Sequence, residues 1–228
     1  MKRLVAPLIL AIAPLVADAQ ERPATRPIPI VEEDPITLDL SGRPAARSAD
    51  LPRARWEYRR NGPLWSRVAL SAVNTHGAAL LKVVPKDIAD WCPAYPDHDA
   101  ETRAAFWVAL MSTLARYEST WNPRAVGGGG RWFGLLQIYP PTAEFRDCRV
   151  QSGTALNNGP DNLNCAVRIM AITVPRDEAI SLKDTRWRGV AADWGPIRND
   201  WMRRDMQRYT KRQAFCRPLS EVRPKRRP

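Results

Sequence analysis

The sequence predicts a mainly α-helical domain with a Pro-rich N-terminal linker and a basic C-terminal tail, and three observations carry that prediction. Apolar residues recur at helical spacing in several stretches between positions 63 and 215, while no alternating apolar and polar run is long enough to demand a large sheet. There are 21 prolines in 228 residues, near double the usual share, and six of them fall between Gln20 and Arg60. Between Arg203 and Pro228 stand ten basic residues against two acidic ones, so this end supplies +8 of a formal net charge of +11. A short peptide and a multidomain scaffold are both excluded by the length.

The elements follow in chain order. Lys2 and Arg3 precede an apolar run from Leu4 to Val16 that closes on Ala17-Asp18-Ala19, the three-part pattern of a secretory signal over residues 1–19 cleaved before Gln20. Thirteen apolar residues fall short of the roughly 20 that a membrane span needs. The mature chain is therefore expected to be exported, with no membrane span. Residues 20–60 read as an extended linker that adds little to the core. The folded domain is expected over 61–216, and 217–228 is the basic tail, suited to an anionic polymer of the cell surface more than to nucleic acid.

Within the domain, Pro63 opens a helix with Trp65, Val68, Ala69, Ala72, His76, Ala79 and Leu80 on one face, His76 being read as a satisfied core residue. After Pro85, Pro93 and Pro96, either Asp97 or Asp99 caps a second helix over about 100–117. Further helices are expected over about 162–173, 188–194 and 200–215.

The second helix carries the chemistry. Its apolar stripe reads Trp107, Met111, Leu114, and the next position on that stripe is Glu118. Burial against apolar neighbours disfavours a charged carboxylate and raises its pKa, which suits a general acid. Glu118 is followed by Ser119-Thr120-Trp121-Asn122-Pro123, four glycines from Gly127 to Gly130, then Gly134-Leu135-Leu136-Gln137-Ile138 and Pro140-Pro141-Thr142-Ala143. The Asn-Pro turn and the glycines let the chain fold back over the helix end.

These residues resemble the catalytic domain of the soluble lytic transglycosylases, whose pattern is Glu-Ser, a nearby Asn-Pro, then Gly-Leu-x-Gln-Ile with Pro-x-Thr-Ala. A weaker match follows at Asn162-Leu163, Ala166 and Ile169-Met170, and Val190-Ala191-Ala192-Asp193-Trp194-Gly195-Pro196 stands where that family carries Ala-Ala-Tyr-Asn. The Tyr that supports the catalytic Glu in many relatives is missing, with Asp193 or Trp194 in its neighbourhood. The resemblance covers roughly residues 100–198. It implies a lysozyme-like helical fold and cleavage of the β-1,4 bond between N-acetylmuramic acid and N-acetylglucosamine in peptidoglycan, in the periplasm. It implies one acid and base, Glu118, and a 1,6-anhydro product. Substrate contacts would come from Gln137 and Ser119, the latter orienting the carboxyl, with Tyr139 as a substitute for the missing Tyr, Asp193 beside it, and Trp132 and Trp121 stacking on sugar rings.

The cysteines fit an exported protein. Cys92, Cys148, Cys165 and Cys216 are widely spaced, include no Cys-x-x-Cys and have two His in the whole chain for company, so neither a metal site nor a cofactor is expected. Of three possible connectivities, Cys148 with Cys165 closes a short loop and Cys92 with Cys216 ties together the ends of the domain. Three function classes are in play: a peptidoglycan lytic transglycosylase, with an envelope-spanning secretion or division apparatus as its candidate partner; a goose-type lysozyme-like hydrolase with Asp193 as second carboxylate; and an inactive glycan-binding or assembly protein.

Overall fold

The computed structural model describes residues 51–218. The expected signal sequence of 1–19, the expected linker up to residue 50 and the expected tail beyond residue 218 lie outside the described residues. Nine α-helices and one short hairpin make up the described residues: α1 Gly62–Asn74, α2 Ala79–Lys82, α3 Ala100–Ser119, α4 Pro140–Phe145, α5 Gly153–Leu156, α6 Gly159–Asp177, α7 Val190–Asp193, α8 Gly195–Arg198 and α9 Asp200–Lys211, with strands β1 Val126–Gly127 and β2 Trp132–Phe133 between α3 and α4. The mainly helical class read from the sequence is the observed one.

α3 is the axis. A helix that buries one stripe shows a polar back, but from Ala104 to Ala115 all residues except Ala105 are buried, which places this helix inside the domain. Asp99 caps it by accepting from the Thr102 amide at 2.9 Å, the second of the two caps the sequence offered. Phe106, Trp107 and Tyr95 meet edge-on, and the Tyr95 hydroxyl accepts from the Trp107 indole at 3.0 Å while donating to Leu80 O at 2.9 Å. Burial pushes the Tyr95 pKa up to about 12, so this hydroxyl remains a donor throughout the working pH range.

Two expectations need correction. The helix opened by Pro63 ends at Asn74 rather than running through Leu80, because Gly77 packs so closely on α6 that a Cβ there would lie 2.5 Å from a Val167 methyl carbon. His76 therefore sits on the turn, half-buried, with Nε2 3.1 Å from Asn164 O. The packed region also begins before residue 61. Ala54 and Trp56 are buried, the Trp56 indole donates to Ser66 at 2.9 Å, and Arg55 satisfies two polar side chains of α3 by donating to Ser112 Oγ at 2.8 Å and Thr113 Oγ1 at 2.9 Å. Buried hydroxyls in the middle of a central helix need partners, and this segment, read as linker for its prolines, supplies them.

Both disulfides have the expected connectivity: Cys92–Cys216 joins the segment before α3 to the end of the domain, and Cys148–Cys165 joins the chain after α4 to α6. Opening Cys148–Cys165 by a double Ser substitution is expected to cost about 3 kcal/mol from the 17-residue separation, read as a lowered urea midpoint, with a slope that rises, if at all, because the unfolded chain is less compact. Peptide mapping of oxidised protein should link those two cysteines; a second pairing would contradict the fold.

Candidate active site

The last turn of α3 delivers Glu118, half-buried, at the edge of the core. No hydrogen bond to its carboxyl from another described residue accompanies that burial, and desolvation alone pushes its pKa from 4.5 up to about 8. Immediately after it the chain turns away through two left-handed residues, Thr120 (φ 52°) and Trp121 (φ 58°), neither a glycine. Such positions cost of order 1–3 kcal/mol each and persist only where the surroundings over-determine them.

What over-determines them is the returning segment. Residues 133–137 have no regular partner strand on either side apart from short pairing at Phe133, so their buried backbone groups need side-chain partners. Asn162 of α6, fully buried, accepts from the Leu136 amide at 2.9 Å and donates to Phe133 O at 2.8 Å and Leu156 O at 3.0 Å. Ser119 donates to Leu135 O at 2.8 Å, and the buried Trp194 indole donates to Leu136 O at 2.9 Å. Three elements thus grip three consecutive turns of one loop. Gly134 is required here: its φ is +79°, and a Cβ would lie 2.4 Å from the Asn162 amide nitrogen.

The consequence is a cavity of about 440 Å³ in which Glu118, Trp132, Gln137 and Asp193 come together with Trp194, Gly195, Pro196 and Arg198. A smaller recess of about 80 Å³ shares Trp132, Gln137, Asp193 and Trp194 and adds Tyr139. Four of the residues expected from the sequence, Glu118, Gln137, Trp132 and Asp193, therefore line one site, and Tyr139 lines its annex. Trp132 is 39% exposed and packs on the glycine loop so tightly that a Cβ on Gly128 would lie 1.6 Å from its ring.

Ser119 and Trp121 are placed otherwise than expected. The Ser119 hydroxyl is spent on Ala115 O and Leu135 O, so it docks the loop and does not orient the carboxyl. The Trp121 indole donates to Ser112 O at 2.8 Å and packs edge-on to Tyr58, away from the cavity lining. Gln137, itself at φ 46°, has its amide nitrogen bonded to Ala125 O and Gly134 O, which leaves Oε1 to face a ligand as an acceptor. Asp193 is reached by solvent at the mouth of the cavity, yet the concave wall removes enough water from its carboxyl to raise the pKa; Thr173, Arg146, Arg176 and Arg198 pull it back part of the way. Sequence reasoning missed Arg198 as a wall of the site and the loop-holding bond of Trp194; the Trp-Gly-Pro stretch was the signal available for the second, and none pointed to the first.

A larger cleft, about 920 Å³, opens on the far side of Arg198 and is lined by Asp87, Lys183, Trp187 and Trp201 among others. Its carboxylates are exposed or already partnered: the Ile180 and Ser181 amides donate to Asp87, and Arg203 donates to Asp200. The desolvated carboxyl of Glu118, and not cleft size, marks the candidate active site.

The site is thus a desolvated Glu at the end of the central helix, beneath a Gly-Leu-Leu-Gln loop. Residues 98–192 match the family model described as "Transglycosylase SLT domain". Among solved structures, the chain is similar to "Bd0314 DslA wild-type form 2", with a TM-score of 0.67 and 27% identity over 73% of this chain and 98% of that one. It is also similar to a glutamate-to-glutamine mutant of Bd0314 DslA, with a TM-score of 0.68 and 26% identity over 75% of this chain and all of that one. No curated protein matches.

Two outcomes follow from the site's construction. Asn162→Leu removes three hydrogen bonds and leaves two buried backbone groups, the Leu136 amide and Leu156 O, without partners, Phe133 O keeping the Ile138 amide, and is expected to lower stability by about 3 kcal/mol in urea titration. For Glu118 the folded pKa lies above the unfolded one, so ionising it opposes folding: stability falls as pH rises between about 4.5 and about 8. Glu118→Gln removes that slope, and the variant should gain on the wild type across this window, with the gap constant above it, in unfolding curves taken at several pH values.

Proposed function

We propose that this protein is an exported peptidoglycan lytic transglycosylase in which Glu118 acts first as acid and then as base. The single observation that carries the reading is a desolvated carboxyl, its pKa pushed up to about 8 by burial, in one cavity with Gln137 and Trp132. The family match supports the substrate class, peptidoglycan.

The chemistry follows from that protonation state. Neutral Glu118 gives its proton to the glycosidic oxygen as the bond to C1 of N-acetylmuramic acid breaks, and the sugar's own acetamido group stabilises the positive charge at C1. The Glu118 carboxylate so formed then takes the proton of the muramoyl 6-hydroxyl, whose oxygen bonds to C1. The carboxyl is regenerated, no water is consumed and the product is 1,6-anhydromuramic acid. One desolvated group can do both, because loss of its proton makes it a stronger base than an exposed carboxylate. Gln137 Oε1 accepts from a sugar hydroxyl, and Trp132 packs against a ring.

A second reading is favoured by one observation, that Asp193 lines the same cavity. As a base raised above its ordinary range it could activate a water, in the manner of a two-carboxylate glycosidase, and the product would then carry a reducing end. Export is supported by the leader pattern of residues 1–19 and by two disulfides, which persist in oxidising compartments such as the periplasm. Among the described residues no helix is long and apolar enough to cross a membrane. An envelope-spanning secretion or division apparatus is the proposed setting for local wall opening.

Glu118→Gln is expected to lower wall cleavage by about 10³-fold or more while glycan binding persists, and wild-type kcat/KM should fall as pH rises through about 8. Products of purified peptidoglycan should be one water lighter than hydrolytic products and resist borohydride, and Asp193→Asn should retain a substantial share of turnover. Reducing-end products together with collapse of the Asp193→Asn variant would move the assignment to the hydrolase.

A further inference from the structure

Beside the candidate active site lies a second concavity, about 360 Å³, lined by Arg176, Arg186, Trp187, Ala192 and Arg198. The two share a wall: Arg198 lines both, and Ala192 on one side is followed by Asp193 on the other. All three charged groups of this concavity are arginines. Like charges gathered in one hollow repel each other unless an anion joins them.

The partners of each guanidinium show how much donor capacity is left over. Arg176 forks onto Asp177 with Nε and Nη2, both at 2.8 Å, and that carboxylate is otherwise taken by the Gly189 amide and lies near Arg188. Arg198 is held in place by backbone hydrogen bonds, Nε to Ala191 O at 2.7 Å and Nη2 to Ala192 O at 2.6 Å; it makes no ion pair with another described residue, and Asp193 is the carboxylate that feels its charge. Arg186 has neither ion pair nor side-chain hydrogen bond to another described residue, and it is exposed. The Trp187 ring is positioned by Lys183 Nζ at 5.4 Å and Arg203 at 5.6 Å, two more cations beside the same hollow. Arg176 and Arg198 also act on Asp193 across the shared wall, so the field of the hollow reaches the catalytic cavity.

A guanidinium N–H pairs strongly with a carboxylate: Arg186 keeps a whole fork and Arg176 and Arg198 each keep Nη1 for such a group, and the nearest carboxylates that a bound glycan could offer are on its peptide. We propose that the hollow of Arg176, Arg186, Trp187 and Arg198 binds a carboxylate of the peptide stem on the muramoyl residue in the adjoining cavity, making the protein selective for strands that carry stems. This rests on the peptidoglycan reading of the Glu118 cavity. Arg198 and Arg176 are fixed by the fold and form the floor, while Arg186 is the adjustable arm.

The test compares intact-stem glycan strands with the same strands stripped of stems by an amidase, using the full-length protein and Arg186→Glu. The quantity read is the ratio of kcat/KM on the two substrates. The wild type should prefer stem-bearing strands, the preference should weaken with added salt, and Arg186→Glu should cut the ratio by about tenfold, the scale of one charge-assisted hydrogen bond. Equal ratios in wild type and variant would overturn the proposal. If the wild type cleaves neither substrate, the transglycosylase reading fails by itself, and binding of a soluble stem peptide decides the hollow separately: calorimetric binding lost in Arg186→Glu upholds it, and no binding to the wild type overturns it.

Discussion

The arrangement depends on one constraint: the backbone of residues 134–136 is buried beyond the end of the hairpin, and although Gly134 N reaches Ala125 O, the Leu135 carbonyl and both polar groups of Leu136 have side-chain partners only. Each orphan amide or carbonyl in such a loop would cost about 1–3 kcal/mol, so the loop exists only because side chains reach it from outside. Asn162 makes two bonds to it from α6 and a third to the end of α5, Ser119 makes one from α3, and Trp194 makes one from the junction of α7 and α8. The loop is thereby the point at which three helices are fixed relative to one another. Gln137 and Glu118 inherit their mutual position from it, and a cavity wall results from what began as a requirement for backbone hydrogen bonds.

The same logic separates residues that build the site from those that face it. Ser119 and Asn162 belong to the motifs a sequence comparison picks out, yet both spend their polar atoms inside the protein. Glu118 does the reverse. It sits on the apolar stripe of a helix that is otherwise buried nearly all round, and it receives no compensating bond. A carboxyl in that state is a cost to folding, retained at a position where a neutral acid at pH 7 has a use.

The sequence made much of this legible because two periodic signals coincided. The helical stripe through Trp107, Met111 and Leu114 led to Glu118, and the Asn-Pro, glycine run and Gly-Leu-Leu-Gln pattern led to the loop above it. The short elements were not legible: α4, α5 and α8 span six, four and four residues, fewer than two helical turns, and carry no usable period. Composition misled at residues 51–60, where Pro52 and a run of charges hid Trp56 and the hydrogen bonds of Arg55, since those bonds depend on buried hydroxyls of α3 far along the chain. The roles of Ser119 and Trp121 were invisible for a related reason: a hydroxyl or indole beside a catalytic residue reads as functional until its partner is known.

The corner where the family pattern carries Tyr shows how a site can be rebuilt around a different side chain. A tyrosine hydroxyl can bond a carboxyl directly, whereas Trp194 has a single N–H, and here that donor is committed to Leu136 O. Its contribution to Glu118 is then indirect: it fixes the loop and presents an apolar surface to the cavity. A carboxyl tuned by a hydrogen bond keeps its pKa when nearby packing loosens slightly, but one tuned by desolvation depends on how completely water is excluded. The proton affinity of Glu118 is accordingly a property of the closed wall formed by Trp132, Trp194 and Pro196. Under the proposed reading, a sugar ring entering the cavity would complete that wall and strip further water from the carboxyl, so that the proton is held until the glycosidic oxygen is in place to receive it.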